Sequence, residues 1–170
     1  MKTVHMLLLA AGLGLLPQSL LASEEVLVPK PVPFSDATLI AGNIKRECVI
    51  QDQLADFIAA YARERNIPVR FAAEVDPLAA PRVLDVQITE AVSQGNPFMG
   101  HHKSTVAVGR LYQDGELIGS FTARRDSMGG AFAGYKGSCS VLGRTVKALG
   151  KDIAAWLAVP DMDALLGDLN

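Results

Sequence analysis

Two stretches of the chain place apolar residues along one side of a helix. Between Glu47 and Asn66 the apolar residues recur at positions 50, 54, 57, 58 and 61, and charged or amide side chains fill the other side. Between Ser138 and Ala158 they recur at positions 142, 146, 149, 153, 156 and 157. Asn66 and Pro68 end the first stretch. The pattern predicts two long amphipathic helices whose apolar faces pack in a core.

The segment between these helices alternates with the period of two that is typical of strands. A short strand is expected at 69–72 and a longer one at 82–92, with Leu84, Val86 and Ile88 on one face. The Asp114-Gly115 pair favours a type I′ turn and predicts a hairpin over 103–125. An uninterrupted register would put the following pairs on the helix-covered face: Tyr112 opposite Leu117, Val108 opposite Phe121, and Val106 opposite Ala123. It would give the other face Thr105, Ala107, Gly109, Ser120, Thr122 and Arg124.

The two ends of the mature chain read differently from its centre. Prolines at 29, 31 and 33 predict an extended arm over 23–36 that docks at a sheet edge. Residues 37–42 are a candidate first strand, and 159–170 are expected to form a C-terminal tail with a candidate short helix. The order of elements predicts an α+β fold, with a mostly antiparallel sheet of four to five strands and two long helices on one face. Residues 37–158 are expected to form this single domain.

The N-terminus has the layout of a secretory signal peptide. Lys2 precedes an apolar run from Val4 to Leu16, and Pro17 and small residues follow it. We expect residues 1–22 to be removed, with an uncleaved membrane anchor as the alternative; the run is short for a span. No cysteine lies near the cleavage site, so a lipid anchor is not expected. No later run is apolar enough to cross a membrane. The sequence therefore predicts a periplasmic or secreted protein.

Export changes how the two cysteines are interpreted. Cys48 and Cys139 both remain in the mature chain, and a pair in an oxidising compartment favours a disulfide. Both lie near the starts of the two helices, so the bond would hold two helix ends side by side. A reactive thiol at Cys139 is the alternative, because a helix start lowers the pKa of a thiol.

Charge and loop composition exclude two classes of function. After cleavage the chain keeps 15 basic and 18 acidic side chains, a balance that does not favour nucleic-acid binding. The stretch DSMGGAFAGYKGS at 126–138 is rich in glycine, yet Tyr135 separates Gly134 from Lys136, so it does not match a nucleotide-binding P-loop. A weaker role remains: amides at the start of the last helix, with Lys136, are a candidate site for a small anionic ligand.

The hairpin brings two loops to one end of the sheet. The loop before its first strand, SQGNPFMGHHK, and the loop after its second strand emerge opposite the Asp114-Gly115 turn. Exposed apolar and cationic side chains on glycine-rich loops indicate an interaction site. The alternative is that Phe98 and Phe132 fold back over the end of the sheet. The predicted partner-binding residues are Phe98, Met99, His101, His102, Arg124, Arg125, Met128, Phe132, Tyr135 and Lys136.

The histidine pair raises the possibility of metal chemistry. His101 and His102 are the histidines that remain after cleavage, and adjacent residues of a strand point to opposite faces. Their loop contains no cysteine or carboxylate to complete a site, although Asp126 lies across the hairpin. We therefore predict no metal and no cofactor. A small-ligand or metal-dependent enzyme centred on His101, His102 and Lys136 is the alternative function, and a self-assembling structural protein is a third.

The element order, the helix placement and the export signal resemble small α/β domains of bacterial envelope proteins. The similar domains are those of the curli secretion channel, the penicillin-binding-protein activator and the TolB N-terminal type. The resemblance covers residues 37–158 and rests on topology. It implies a protein-binding adaptor of the envelope rather than an enzyme. The sequence thus predicts an exported, non-enzymatic binding or assembly module, whose partner is an envelope protein or a small anionic ligand.

Overall fold

The computed structural model of the protein describes residues 24–35, 40–96, 100–127 and 137–170, with the backbone alone at 94–96, 100 and 101. The signal peptide predicted at 1–22 lies outside these residues. The described elements are six strands and three helices: β1 Val26–Pro29, α1 Gly42–Glu47, α2 Ile50–Arg63, β2 Val69–Ala72, β3 Arg82–Asn96, β4 Gly100–Gln113, β5 Glu116–Ser127, α3 Ser138–Ala158 and β6 Ala164–Gly167.

One sheet joins all six strands in the order β2-β1-β3-β4-β5-β6. The central pairs β3–β4 and β4–β5 are antiparallel, whereas β1 is parallel to both of its neighbours and β6 is parallel to β5. The predicted α+β class, with two long helices on one face and one disulfide, is confirmed. The sheet is mixed and has six strands rather than four to five, because both chain ends join it.

The proline-rich segment contributes an internal strand. β1 lies between β2 and β3, and the side chains of Val26 and Val28 are fully buried. Its short run of alternating valines fits a sheet covered by helices, and its prolines stand at and beyond its end. The segment expected as an arm at the sheet edge is therefore part of the core. The described part of the candidate strand at 37–42 contains one bridge, from Ile40 to Ala91.

The C-terminal tail forms an edge strand, which corrects the expectation of a short helix there. Asp163 adopts a positive φ of 54°, and Gly167 one of 75°, so neither end of 164–167 has helical geometry. The Ser120 hydroxyl and Asp163 hold the entry to β6 through two hydrogen bonds. The tail pairs with β5 because these local bonds place it beside the hairpin.

The helices pack on one face of the sheet with the predicted apolar stripes inward. Ile50, Leu54 and Ile58 of α2 are fully buried, and every predicted stripe position of α3 is buried. α2 begins at Ile50, and the short helix α1 precedes it. At the far end of α3, Arg82 Nη2 donates a hydrogen bond of 2.9 Å to the Leu157 carbonyl. We call the helix-covered side of the sheet the inner face and the opposite side the outer face.

The register of the β4–β5 hairpin differs from the predicted one. Asp114 and Gly115 form the turn, and Tyr112 faces Leu117 as expected. A bulge between Leu111 and Tyr112 then shifts the pairing by one residue. Gly109 therefore faces Phe121 and Ala107 faces Ala123, whereas Val108 and Val106 face Thr122 and Arg124.

The shift exchanges the two faces of β4. Thr105, Ala107 and Leu111 are buried on the inner face, and Val106 and Val108 lie on the outer face. At Gly109 the inner face of β4 leaves no room for a side chain, because the Phe121 ring lies against it: a Cβ on Gly109 would come within 2.4 Å of Phe121 Cε1. The predicted inward position of Val106 and Val108 is wrong for this steric reason.

Candidate functional site

The described ends of both glycine-rich segments lie at the same end of the sheet, and residues 93–96 and 100–103, which were expected in a loop, are paired strand. Lys103 near the start of β4 pairs with Ser127 at the end of β5, and the Asp114-Gly115 turn lies at the other end. The start of α3 also lies there, because Ser93 of β3 contacts Ser138. We call this region the loop end; its described residues are 93–96, 100–104, 124–127 and 137–139.

Six of the predicted partner-binding residues lie outside the described residues: Phe98, Met99, Met128, Phe132, Tyr135 and Lys136. The backbone of His101 in β4 pairs with that of Gly95 in β3. His102, Arg124 and Arg125 are described in full, and the hairpin brings all three to the loop end. The partner-binding role of the ten residues remains a prediction.

His102 and Arg124 share one carboxylate on the outer face. His102 Nε2 lies 3.4 Å from Asp126 Oδ1, and Arg124 Nε lies 3.0 Å from Asp126 Oδ2. The His102 side chain is 45% exposed, so solvent screens this cluster and leaves it accessible to a partner.

Arg125 points the other way, into an ion-pair network under α3. Its guanidinium binds both oxygens of Asp152, at 2.7 and 2.9 Å, and donates to Asp168 at 2.7 Å. The hydrogen bond with Asp152 raises the pKa of Arg125 above its ordinary value. The backbone N–H of Asp126 donates to Asp168 at 2.7 Å and, with Arg125, holds the pKa of Asp168 below its ordinary value. Arg125 thus ties β5 to α3 and to the C-terminal tail.

Lys103 lies beside this network on the inner face, and its environment was not foreseen. The residue is 3% exposed, and its Nζ donates hydrogen bonds to Ser93 Oγ at 3.0 Å and Ser138 Oγ at 3.3 Å. The two hydroxyls are 2.8 Å apart. Ser138 is the first residue of α3, whose N-cap is Gly137 without a side-chain cap. The correct β4 register would have revealed the cluster, because residues two apart on a strand share a face and Lys103 therefore lies on the same face as the buried Thr105 and Ala107.

The disulfide fixes this end of α3. Cys48 and Cys139 are bonded, with a Cα–Cα distance of 5.1 Å, which confirms the predicted pairing. Cys139 follows Ser138, and Cys48 lies between α1 and α2. The bond therefore holds the start of α3 against the start of α2, next to Lys103. The alternative of a reactive thiol at Cys139 is wrong for this bonded form.

The outer face carries a second feature, a groove with a volume of about 580 Å³. Residues of β3, β4 and β5 and of the segment that leads into and includes β6 line it, and they include the outward-facing Val108 and Thr122. The exposed Leu117, Met162 and Leu165 stand at its sides. Its polar lining includes Asp85, Gln87, Arg110, Ser120, Thr122 and Asp163.

Two features are absent from the described residues, a metal-binding cluster and a membrane-spanning helix. They contain no group of three His, Cys, Asp or Glu side chains arranged to hold a metal ion, and His102 has Asp126 beside it. In the same part of the chain, no helix combines the length and the apolar character needed to cross a bilayer.

Comparison with known proteins finds similar structures but no match by sequence. No protein-family model and no curated protein matches the chain. Protein XCC0632 of Xanthomonas campestris, which carries the family label DUF330, has a TM-score of 0.54 at 14% identity, with 79% of this chain and 83% of that chain covered. This likeness shows the fold.

Two further structures have TM-scores below 0.5. Lipoprotein GNA1162 of Neisseria meningitidis has a TM-score of 0.43 at 19% identity, over 77% of this chain and 98% of that chain. The PelC dodecamer of Paraburkholderia phytofirmans has a TM-score of 0.47 at 16% identity, over 84% and 93%. The structural neighbours thus include small bacterial lipoprotein domains. They do not confirm the three envelope families named from the topology.

Proposed function

We propose that the chain is an exported, non-enzymatic binding module of the bacterial envelope. The observation that carries this proposal is the one-sided covering of the sheet: the helices pack on the inner face, and the outer face of β3 to β6 holds a solvent-open groove. A groove with a mixed apolar and polar lining is the usual form of a recognition surface. The disulfide supports export, because such bonds persist in oxidising compartments.

The proposed contact surface runs along the outer face of the hairpin. It extends from His102, Arg124 and Asp126 at the loop end to the groove around Thr122 and Leu165, and it includes the two glycine-rich loops as predicted. The proposed partner is a protein, because exposed Leu117, Met162 and Leu165 beside polar groups provide the mixed surface that protein interfaces use.

Site-specific photocrosslinking in cells tests this proposal. A crosslinking amino acid at Val108 or Thr122 samples the groove, and one at Phe98 or Phe132 samples the loops. Matched control positions are Ala60 on α2 and Ala155 on α3, which are exposed on the helical side. We expect groove and loop positions to crosslink one and the same envelope protein, and the helical positions not to.

The same experiment can contradict the proposal in two ways. Equal crosslinking from Ala60 and Ala155 would show that the outer face is not the contact surface. Recovery of the chain in the cytoplasmic fraction, with free thiols at Cys48 and Cys139, would exclude an envelope function. The alternative, an enzyme centred on His101, His102 and Lys136, predicts a bound metal or a ligand-dependent melting temperature instead.

A further inference from the structure

Lys103 is a buried cation without an anionic partner among the described residues. All acidic side chains of the chain except Asp36 belong to those residues, and none of them makes an ion pair with Lys103 within 4.0 Å. An ammonium group has three N–H donors, and Ser93 and Ser138 accept two. One donor and the positive charge therefore lack a partner there. Burial of a charge in this state is costly.

The start of α3 adds positive potential at the same place. The first N–H groups of a helix have no partner inside it, and their dipoles sum to a partial positive charge. Helices commonly place Asp or Glu there, but the first turn of α3 contains no acidic residue, and its N-cap provides no side-chain bond. Ser138, whose hydroxyl contacts Lys103 Nζ, is the first residue of this 21-residue helix. Two positive features thus adjoin, and neither is neutralised by a described side chain.

The geometry points to an oxyanion-binding site between Lys103 Nζ and the N-terminus of α3. Lys103 supplies the charge, the hydroxyls of Ser93 and Ser138 supply hydrogen bonds, and Ser138 also begins α3, whose first N–H groups have no partner inside the helix. The ligand is a phosphate or a carboxylate group, since both accept several N–H and O–H donors at once. Ser93 and Ser138 are half-buried and Gly137 is exposed, so the ligand enters from the loop end.

This inference goes beyond the proposed protein-binding function and does not depend on it. The site lies on the inner face, whereas the proposed contact surface lies on the outer face. It also differs from the sequence-based expectation of an anion beside Lys136, because Lys103 provides the buried charge. A negative photocrosslinking result would not contradict the anion site, and a negative anion titration would not contradict the protein interface.

The test is an anion titration of the purified, oxidised mature chain, followed by the backbone amide resonances of Ser138 and Cys139. Inorganic phosphate and acetate are the two probes, and sodium chloride at equal ionic strength is the control. We expect saturable shifts at both amides with at least one probe and none with chloride. Phosphate alone would identify a phosphate-bearing ligand, and acetate alone a carboxylate. Equal responses to all three salts, or no response, would overturn the inference.

Substitutions then assign the binding to Lys103. Lys103→Met keeps the apolar stem and removes the charge, so we expect affinity to fall by about tenfold or more, as for a lost charged hydrogen bond. Lys151→Met, at an exposed position of α3, makes the same chemical change and should leave affinity unchanged. Ser138→Ala retains the charge and should weaken binding by roughly three- to tenfold. This second variant keeps the test valid should Lys103→Met fail to fold. Unaltered affinity in both site variants would overturn the assignment.

Discussion

Arg125 and Lys103 are two cations on neighbouring strands under the same helix, and their surroundings differ. Arg125 faces Asp152 and Asp168, which accept its hydrogen bonds and balance its charge. Lys103 is more deeply buried and faces two serine hydroxyls. A cation with its own carboxylates holds elements together, whereas a buried cation with hydroxyl partners remains available to an external anion.

The position of α3 explains this difference. Asp152 lies in the second half of the helix, where its carboxylate reaches β5, and the tail that carries Asp168 returns beside the same strand. Lys103 lies instead under the first turn, which contains no acidic residue. The same helix therefore neutralises one cation and reinforces the potential of the other.

Removal of the disulfide should have the largest effect. The bond joins residues separated by 91 positions, and the loop-entropy model gives such a link about 4–5 kcal/mol. We expect Cys48→Ala/Cys139→Ala to lower the free energy of unfolding by about this amount. Urea unfolding of oxidised wild-type protein and of the variant measures the change. Cys139 adjoins Ser138, so we expect the Lys103 cluster to lose order before the Arg125 network does.

Reduced wild-type protein is the control for that prediction, since it should unfold at the same urea concentration as the double variant. Amide exchange can then compare the two clusters, with faster exchange expected near Ser138 than near Asp152. A stability loss below about 1 kcal/mol would contradict the loop-entropy estimate for this chain.

Arg125→Met should have the next largest effect. It leaves Asp152 and Asp168 without their cation, and we expect the free energy of unfolding to fall by about 1–2 kcal/mol. The value is below that of a fully buried pair because the Arg125 side chain is 31% exposed and solvent screens it. Arg110→Met, on the exposed part of the outer face, is the matched control and should change stability by less than about 0.5 kcal/mol. Equal losses of unfolding free energy in the two variants would contradict the structural role of Arg125.

Lys103→Met should change the free energy of unfolding in the opposite direction from Arg125→Met, or leave it unchanged. In buffer without phosphate or carboxylate, we expect the free energy of unfolding to stay unchanged or to rise by up to about 1 kcal/mol, because the variant no longer buries an unbalanced charge. Ser93 and Ser138 can still bond to each other. Urea unfolding beside Arg125→Met makes the comparison direct. A loss above about 1 kcal/mol would indicate that the ammonium already has an anionic partner in the free protein, with Asp36 the first residue to test.

The sequence predicts the helices, the turn and the disulfide because each rests on a local or pairwise signal. The stripes of α2 and α3 repeat over several turns, Asp114-Gly115 specifies its own turn geometry, and an exported chain with two cysteines has one intramolecular pairing. The strands near the two ends of the described chain are harder to predict, because β1 and β6 have four residues each and pair with strands that are distant in sequence. No local pattern distinguishes such a strand from an extended arm or a tail.

The Lys103 cluster was missed for one identifiable reason. The bulge between Leu111 and Tyr112 shifts the register by one residue, and a shift of one turns every β4 side chain to the other face. Under the uninterrupted register, Val106 points inward and Lys103 outward to solvent. The true register depends on how the Phe121 ring packs against Gly109, a contact between strands that the pattern of a single strand does not encode.

The smallest expected effect is a difference in how the stability contributions of the Arg125 network and of Lys103 depend on pH. The pKa of Asp168 is below its ordinary value in the folded protein, so its contribution to stability is complete above the ordinary carboxyl pKa of about 3.9 and is lost as the pH falls through the folded value. We therefore expect the stability difference between wild-type protein and Asp168→Asn to shrink below about pH 4, measured by urea unfolding from pH 7 to 2.5. The difference between wild-type protein and Lys103→Met should stay constant over the same range, because no described carboxylate pairs with Lys103. A pH-dependent difference for Lys103→Met would mean that a carboxylate neutralises it after all, and the contrast with Arg125 would be lost.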